Sequence, residues 1–215
     1  MRARIARSER VVFEGAQGVL LDETWGFHPH TTWSDCTFAG ALALSGDRPV
    51  HRLGVTRTYA HRHGPGPFPT EGTLALGEPH NRDDGWQGRF RVGALDGVLL
   101  RYAVAVCGGV DGLVVTHLDR LERGPVCDGY LADVPVGLAT GAGGRVRELV
   151  AGPPEDLGHR ERLGRWLTGV RVALREADLV SFVEGATEAP VWLESRGPTA
   201  SAKSWRPPFG VRAPR

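Results

Sequence analysis

The sequence predicts an α/β protein with a largely parallel sheet flanked by helices, and three observations carry that prediction. Short apolar runs of strand character alternate with longer stretches of helical spacing. Glycine and proline clusters punctuate the runs where strands should end. The 215 residues, 41% of them apolar, suffice to bury a single core.

Taken in order, Val11-Val12-Phe13 reads as a first apolar strand that runs into Gly15-Ala16-Gln17-Gly18 and then Val19-Leu20-Leu21-Asp22. So abrupt an entry into a core strand is expected of a domain whose first elements lie elsewhere. Small and apolar residues from Thr37 to Leu44 predict a helix, and a strand follows from Leu53 to Tyr59. Gly64-Pro65-Gly66-Pro67-Phe68-Pro69-Thr70-Glu71 holds three prolines and two glycines, so it must be a stiff loop. Val98, Leu99, Tyr102 and Val106 recur at helical spacing within Leu95–Cys107, and Gly108-Gly109 ends that helix. Gly112–Thr116 is a buried strand, and Gly137–Gly144 a glycine-rich loop between short strands. Helices are predicted over Glu155–Leu167 and Leu174–Glu184, with a last internal strand at Pro190–Leu193. After Gly197 the Pro, Ser and Arg content rises, so residues 1–198 read as one domain and 199–215 as a loosely ordered tail.

Composition excludes several function classes. A formal net charge of +1 cannot supply the broad positive field of a nucleic-acid binder. The sequence holds no apolar run long enough to span a bilayer and no signal-peptide pattern, so the expectation is a cytoplasmic protein without a membrane partner. Cys36, Cys107 and Cys127, odd in number and without CxxC spacing, predict reduced thiols rather than a disulfide framework or zinc site.

Four constellations could carry chemistry. In Glu14-Gly15-Ala16-Gln17-Gly18 the glycines permit close backbone approach of a ligand, although glycine more commonly marks a plain turn. Hydroxyls in Thr31-Thr32-Trp33-Ser34-Asp35 precede the first helix, either as an ordinary cap or as an anion site. Asp119 follows an apolar strand, where a carboxylate can accept two hydrogen bonds from a guanine edge or simply cap a helix. Arg89 and Arg91 suit bidentate carboxylate or phosphate contact, whereas surface arginines are usually just solvated. The pairs His28/His30 and His61/His63 lack the carboxylate or cysteine partners that would complete a metal site, so no metal ligand is expected.

The order FEGAQGVLLDE, TTWSDCTFAG, GPGPFPTE, GRFRVGALD, GVDGLVVTHLD and SRGP resembles the adenylosuccinate synthetase family. There the matching stretches run close to FEGAQGTLLD, VTSSNTTAGG, GxGPFPTE, GRPRRxGWxD, LTKLDVLD and STGP. The similarity covers about Val11 to Pro198. It implies part of a P-loop-type α/β fold and a GTP-dependent ligation of inosine monophosphate (IMP) to aspartate through a phosphorylated nucleotide, with Mg2+ on the phosphates. By the same resemblance Gln17, Leu21, Thr32 and Gly64 face the inosine nucleotide, Arg89 and Arg91 the amino acid, and Asp119, Ser195 and Gly197 the guanine base.

The departures set further expectations. The family's glycine-rich loop with its lysine, its catalytic aspartate and its histidine find no match in these residues, so no catalytic side chain is assigned. His117 stands where the TKLD motif has lysine, one arginine of GRPRR is lost, and Glu78–Gln87 replaces a shorter threonine-rich loop. The expected protein binds purine nucleotide and is incomplete alone, completed by a polypeptide resembling the family's N-terminal half or acting as a homodimer. The alternatives are a non-catalytic remnant or purine-nucleotide-binding module, and a coding sequence that starts further upstream.

Overall fold

The computed structural model describes residues 2–76, 81 and 85–206. Its first sheet has the order β1-β5-β10-β11, from Leu53–Arg57 (β1), Gly112–Thr116 (β5), Val191–Ser195 (β10) and Lys203–Trp205 (β11). The first three strands run parallel and β11 closes the edge antiparallel to β10. Ala60–His63 (β2) and Phe90–Gly93 (β3) form a separate antiparallel pair. The third sheet is centred on Arg123–Leu131 (β6). Leu95–Asp96 (β4) pairs with it in parallel, whereas Arg145–Leu149 (β8) and Arg171–Asp178 (β9) pair antiparallel, and Ala139–Ala142 (β7) lies on β8. The α/β class stands, with its parallel part confined mainly to the first sheet.

Five helices accompany these sheets among the described residues: Arg2–Arg7 (α1), Ala39–Ser45 (α2), Gly97–Val106 (α3), Leu157–Leu167 (α4) and Leu179–Thr187 (α5). Two cores result. In one, Leu179, Phe182, Val183 and Ala186 of α5 pack on Leu113, Val115 and Val191 of the first sheet. In the other, Val98 and Tyr102 of α3 and Leu163 and Leu167 of α4 enclose Cys127, Tyr130 and Val146 of the third sheet. Gly97 lets α3 and α5 approach, since a Cβ there would lie 2.9 Å from the Phe182 ring.

Several elements differ from expectation. Val11–Phe13 is not a strand: no described segment pairs with it and Val12 is 92% exposed, so its apolar run has no ladder to join. Residues 171–178, of which 174–178 read as helix in the sequence, form β9 along β6, and the helix begins only where Asp178 caps it through Ser181 N at 2.9 Å. Leu95–Asp96 is a short strand rather than a helical turn. Its Asp96 Oδ1 accepts from Val98 N at 3.0 Å and Leu99 N at 3.1 Å, which starts α3. The glycine-rich stretch contains β7, and Gly143 and Gly144, with φ of 60° and 70°, make the tight turn into β8. Residues 200–205 fold back on β10, while 207–215 and most of the replaced loop (77–80 and 82–84) lie outside the described residues.

Candidate functional site

The GAQG segment is a turn with an unusual backbone. Gln17 adopts φ 62° and Gly18 φ 114°, and Val19–Leu21 follows as one 3-10 turn. Asp22 then fixes this segment onto the next motif. Its Oδ1 accepts from Thr24 N and Trp25 N at 2.8 Å each, and its Oδ2 accepts from Cys36 N at 2.6 Å. Thr32 N donates to Leu21 O at 2.7 Å and Ser34 Oγ to Gln17 Oε1 at 3.5 Å. The fold thus brings together Gln17, Leu21 and Thr32 from two motifs. Asp22, 1% exposed, holds them there. Asp22 closes the FEGAQGVLLD motif at the end of its apolar run.

Gly64 is tied to the same region through a buried arginine. Arg62 donates from Nε to Pro65 O at 2.8 Å and from Nη2 to His30 O at 2.9 Å, bracing the proline loop against the Thr32 segment. Burial, and then the neighbouring Arg91, lower its pKa to about 10. Gly66, at φ 118°, lies against the Arg62 guanidinium, where any Cβ would collide with it. Arg62 lies outside the motifs of the sequence, just ahead of GPGPFPTE.

Arg91 also serves the loop. Its Nη1 donates to Gly64 O and Gly66 O at 3.1 and 3.0 Å, and Nε and Nη2 grip Glu71 at 3.0 and 2.5 Å. The bidentate arginine holds the Glu71 carboxyl below its usual range. Arg89 contributes a backbone carbonyl to Gly64 N at 3.0 Å and leaves its side chain exposed. Of the two arginines, Arg89 is therefore the one whose side chain reaches outward, and Arg91 is committed to loop geometry.

Asp119, Ser195 and Gly197 converge at the carboxyl ends of β5 and β10, the place where open parallel sheets present ligands. Leu118 N donates to Ser195 O at 3.1 Å, Thr58 N to Thr116 O at 3.1 Å, and Thr58 Oγ1 to His117 O at 3.1 Å, so three strand ends are cross-linked. His117 sits at φ 65° with Nδ1 3.0 Å from Thr116 Oγ1 and its ring edge-on to Tyr59. Asp119 ion-pairs with Arg120 at 3.2 Å. Ser195 Oγ donates to Gly197 O at 3.3 Å. Behind them the buried Glu194 carboxylate takes Arg196 at 2.6 Å and Arg206 at 2.7 Å.

The two clusters are joined by residues 58–63. Tyr59 contacts both His117 and His61, and His61 is driven down to a pKa of about 4 by burial, with Arg57, His63 and His117 adding repulsion. The imidazole is neutral at pH 7. Among the described residues no three His, Cys, Asp or Glu side chains gather to hold a metal.

The family model described as adenylosuccinate synthetase matches residues 1–142. An adenylosuccinate synthetase of Geobacter sp. (strain M21) is 35% identical over 216 aligned positions, covering 92% of this chain and 48% of the relative. The chain thus spans about half the length of that relative. In fold it is similar to the fully ligated adenylosuccinate synthetase of Plasmodium falciparum, at 20% identity and TM-score 0.66, covering 90% of this chain and 49% of that one. It is also similar to the cyanophage S-2L succinoaminodeoxyadenylate synthetase bound to dGMP and dATP as an energy donor, at 20% identity and TM-score 0.57, covering 96% and 49%.

Proposed function

The chain belongs to the adenylosuccinate synthetase family, and from that premise we propose that it carries the nucleotide-binding surfaces of a GTP-dependent carbon–nitrogen ligase acting on IMP and an amino acid. Gln17, Leu21, Thr32 and Gly64 take the inosine nucleotide. The Gln17 amide both donates to and accepts from the base. Arg89 meets the amino-acid carboxylate, with Arg91 shaping the loop behind it. Asp119 accepts the two N–H groups of a guanine edge beside Ser195 and Gly197.

The observation that supports this most directly is the cross-bracing of distant motifs. Arg62 ties the Gly64 loop to the Thr32 segment, and residues 58–63 connect both to the strand ends of the base site. A set of turns with no shared ligand gains little from such coupling.

Among the described residues no three His, Cys, Asp or Glu side chains cluster where they could hold Mg2+ by themselves. Magnesium in this scheme arrives on the nucleotide phosphates, and no step is assigned to it. The groups that stabilise phosphoryl transfer are not among these residues and are supplied from outside them, as by a complementing polypeptide. The free edge of β1, where Val55 is 70% exposed and no described strand pairs, supports a further chain docking beside the base site. A second reading, a purine-nucleotide-binding module without ligase chemistry, is favoured by the single lysine, Lys203, lying outside any glycine-rich phosphate loop.

Isothermal titration of the purified chain with IMP and separately with GTP, each with magnesium, tests the proposal. Micromolar IMP binding supports it, and heat-silent titrations with both nucleotides overturn it. Ligase product formed with a complementing polypeptide separates the first reading from the second.

A further inference from the structure

The chain's only lysine returns to the base site from the segment after the SRGP motif. Lys203 opens β11 directly opposite Ser195 of β10, so the two side chains lie on the same face of the sheet. Its Nζ donates to Gly197 O and, at 3.0 Å, to Thr199 O. Among the described residues it pairs with no carboxylate. The ammonium is partly withdrawn from water and held by carbonyls that direct it at the turn. The turn is otherwise closed by Arg196 N donating to Ala202 O at 2.8 Å and Ala202 N donating to Thr199 O at 3.2 Å.

This geometry changes what the base site can recognise. Gly197 O already accepts from both Ser195 Oγ and Lys203 Nζ, so both its lone pairs are engaged and it offers nothing to an incoming amino group. The positive charge beside it favours a base that presents an oxygen and disfavours one that presents an amino group there. Guanine carries O6 at that edge and adenine an N–H donor pair, while Asp119 opposite is an acceptor that suits the guanine N1–H. The resembling motif keeps a lysine at the position occupied here by His117, so a cation from a different element stands at the same strand ends.

We propose that Lys203 is the positioning residue of the base site, fixing the Ser195–Thr199 turn and biasing it toward guanine over adenine nucleotides. This rests on the assignment of Asp119, Ser195 and Gly197 to a purine base. A lysine serving only as a hairpin brace would alter stability and leave the choice of base untouched.

The test uses the full chain and its Lys203→Met and Lys203→Arg variants, titrated with GTP, ATP and IMP, alongside amide hydrogen exchange at Arg196 and Ala202. The Met variant is expected to bind GTP about tenfold more weakly, because the turn that presents Ser195 and Gly197 loses the cation that fixes it. ATP and IMP binding should change less than about threefold, the two amides should exchange faster, and Arg should restore most of the GTP affinity. Equal losses for GTP and ATP, or unchanged GTP binding and amide exchange in the Met variant, overturn the role of Lys203 alone. Failure of the unmodified chain to bind either GTP or ATP overturns the base-site assignment beneath it.

Discussion

Replacing Arg62 with methionine cuts the brace between the two nucleotide-facing loops while keeping a long apolar stem. It removes Nε→Pro65 O and Nη2→His30 O and leaves two carbonyls without those donors. Each bond from a charged donor contributes about 1.5–3 kcal/mol. Against this, the fall of the Arg62 pKa to about 10 marks a cost of burial and of repulsion from Arg91 of about 3 kcal/mol that the variant recovers. The expected net loss of folding stability is therefore only about 1–2 kcal/mol. Binding should suffer as much, because IMP must then order two loops that Arg62 now holds together. The affinity is expected to drop about tenfold. Urea denaturation measures the first quantity and isothermal titration the second. IMP affinity within about twofold of the unmodified chain, with stability lowered as expected, would refute the claim that Arg62 organises a binding surface.

Two further expectations follow from single groups. Burial lifts the Asp96 carboxyl from 3.8 to about 6, despite its bonds from Leu99 N, Tyr130 Oη and Val98 N. The folded protein therefore holds this proton where the unfolded chain has released it. Asp96 contributes its full stability below pH 3.8 and loses it as pH rises through about 6. Relative to Asp96→Asn, the unmodified chain should lose up to about 3 kcal/mol between pH 4 and 7 in denaturant titrations, and a pH-independent difference would count against the raised value. Gly93→Ala would place a Cβ 2.2 Å from Thr70 O, where backbone must move. A cost of about 2–3 kcal/mol and a Tm lowered by about 5–10 °C are expected, and a fall below about 2 °C would show that the loop gives way freely.

The elements legible in the sequence are those whose signal is local. The proline loop at 64–71 follows from fixed φ angles and missing donors, and Gly112–Thr116 and Leu157–Leu167 from apolar spacing. The motifs FEGAQG, GPGPFPTE and SRGP likewise announced a family, because turns that approach a ligand demand particular residue types at particular spacings. That much the chain carries residue by residue.

What the tertiary structure decided concerns partners. Val11–Phe13 and Arg171–Asp178 show the two directions of error. The first has strand character and no strand beside it, and the second reads in part as helix yet becomes β9 because β6 offers it a ladder. The same holds at the site. Asp22, Arg62 and Lys203 act through backbone carbonyls and amides brought from 14, 32 and 6 residues away. Sequence patterns register side-chain character and not which distant carbonyl a buried cation will meet. Only packing places the donor and acceptor together, since a buried polar group must find whatever partner the surrounding chain presents.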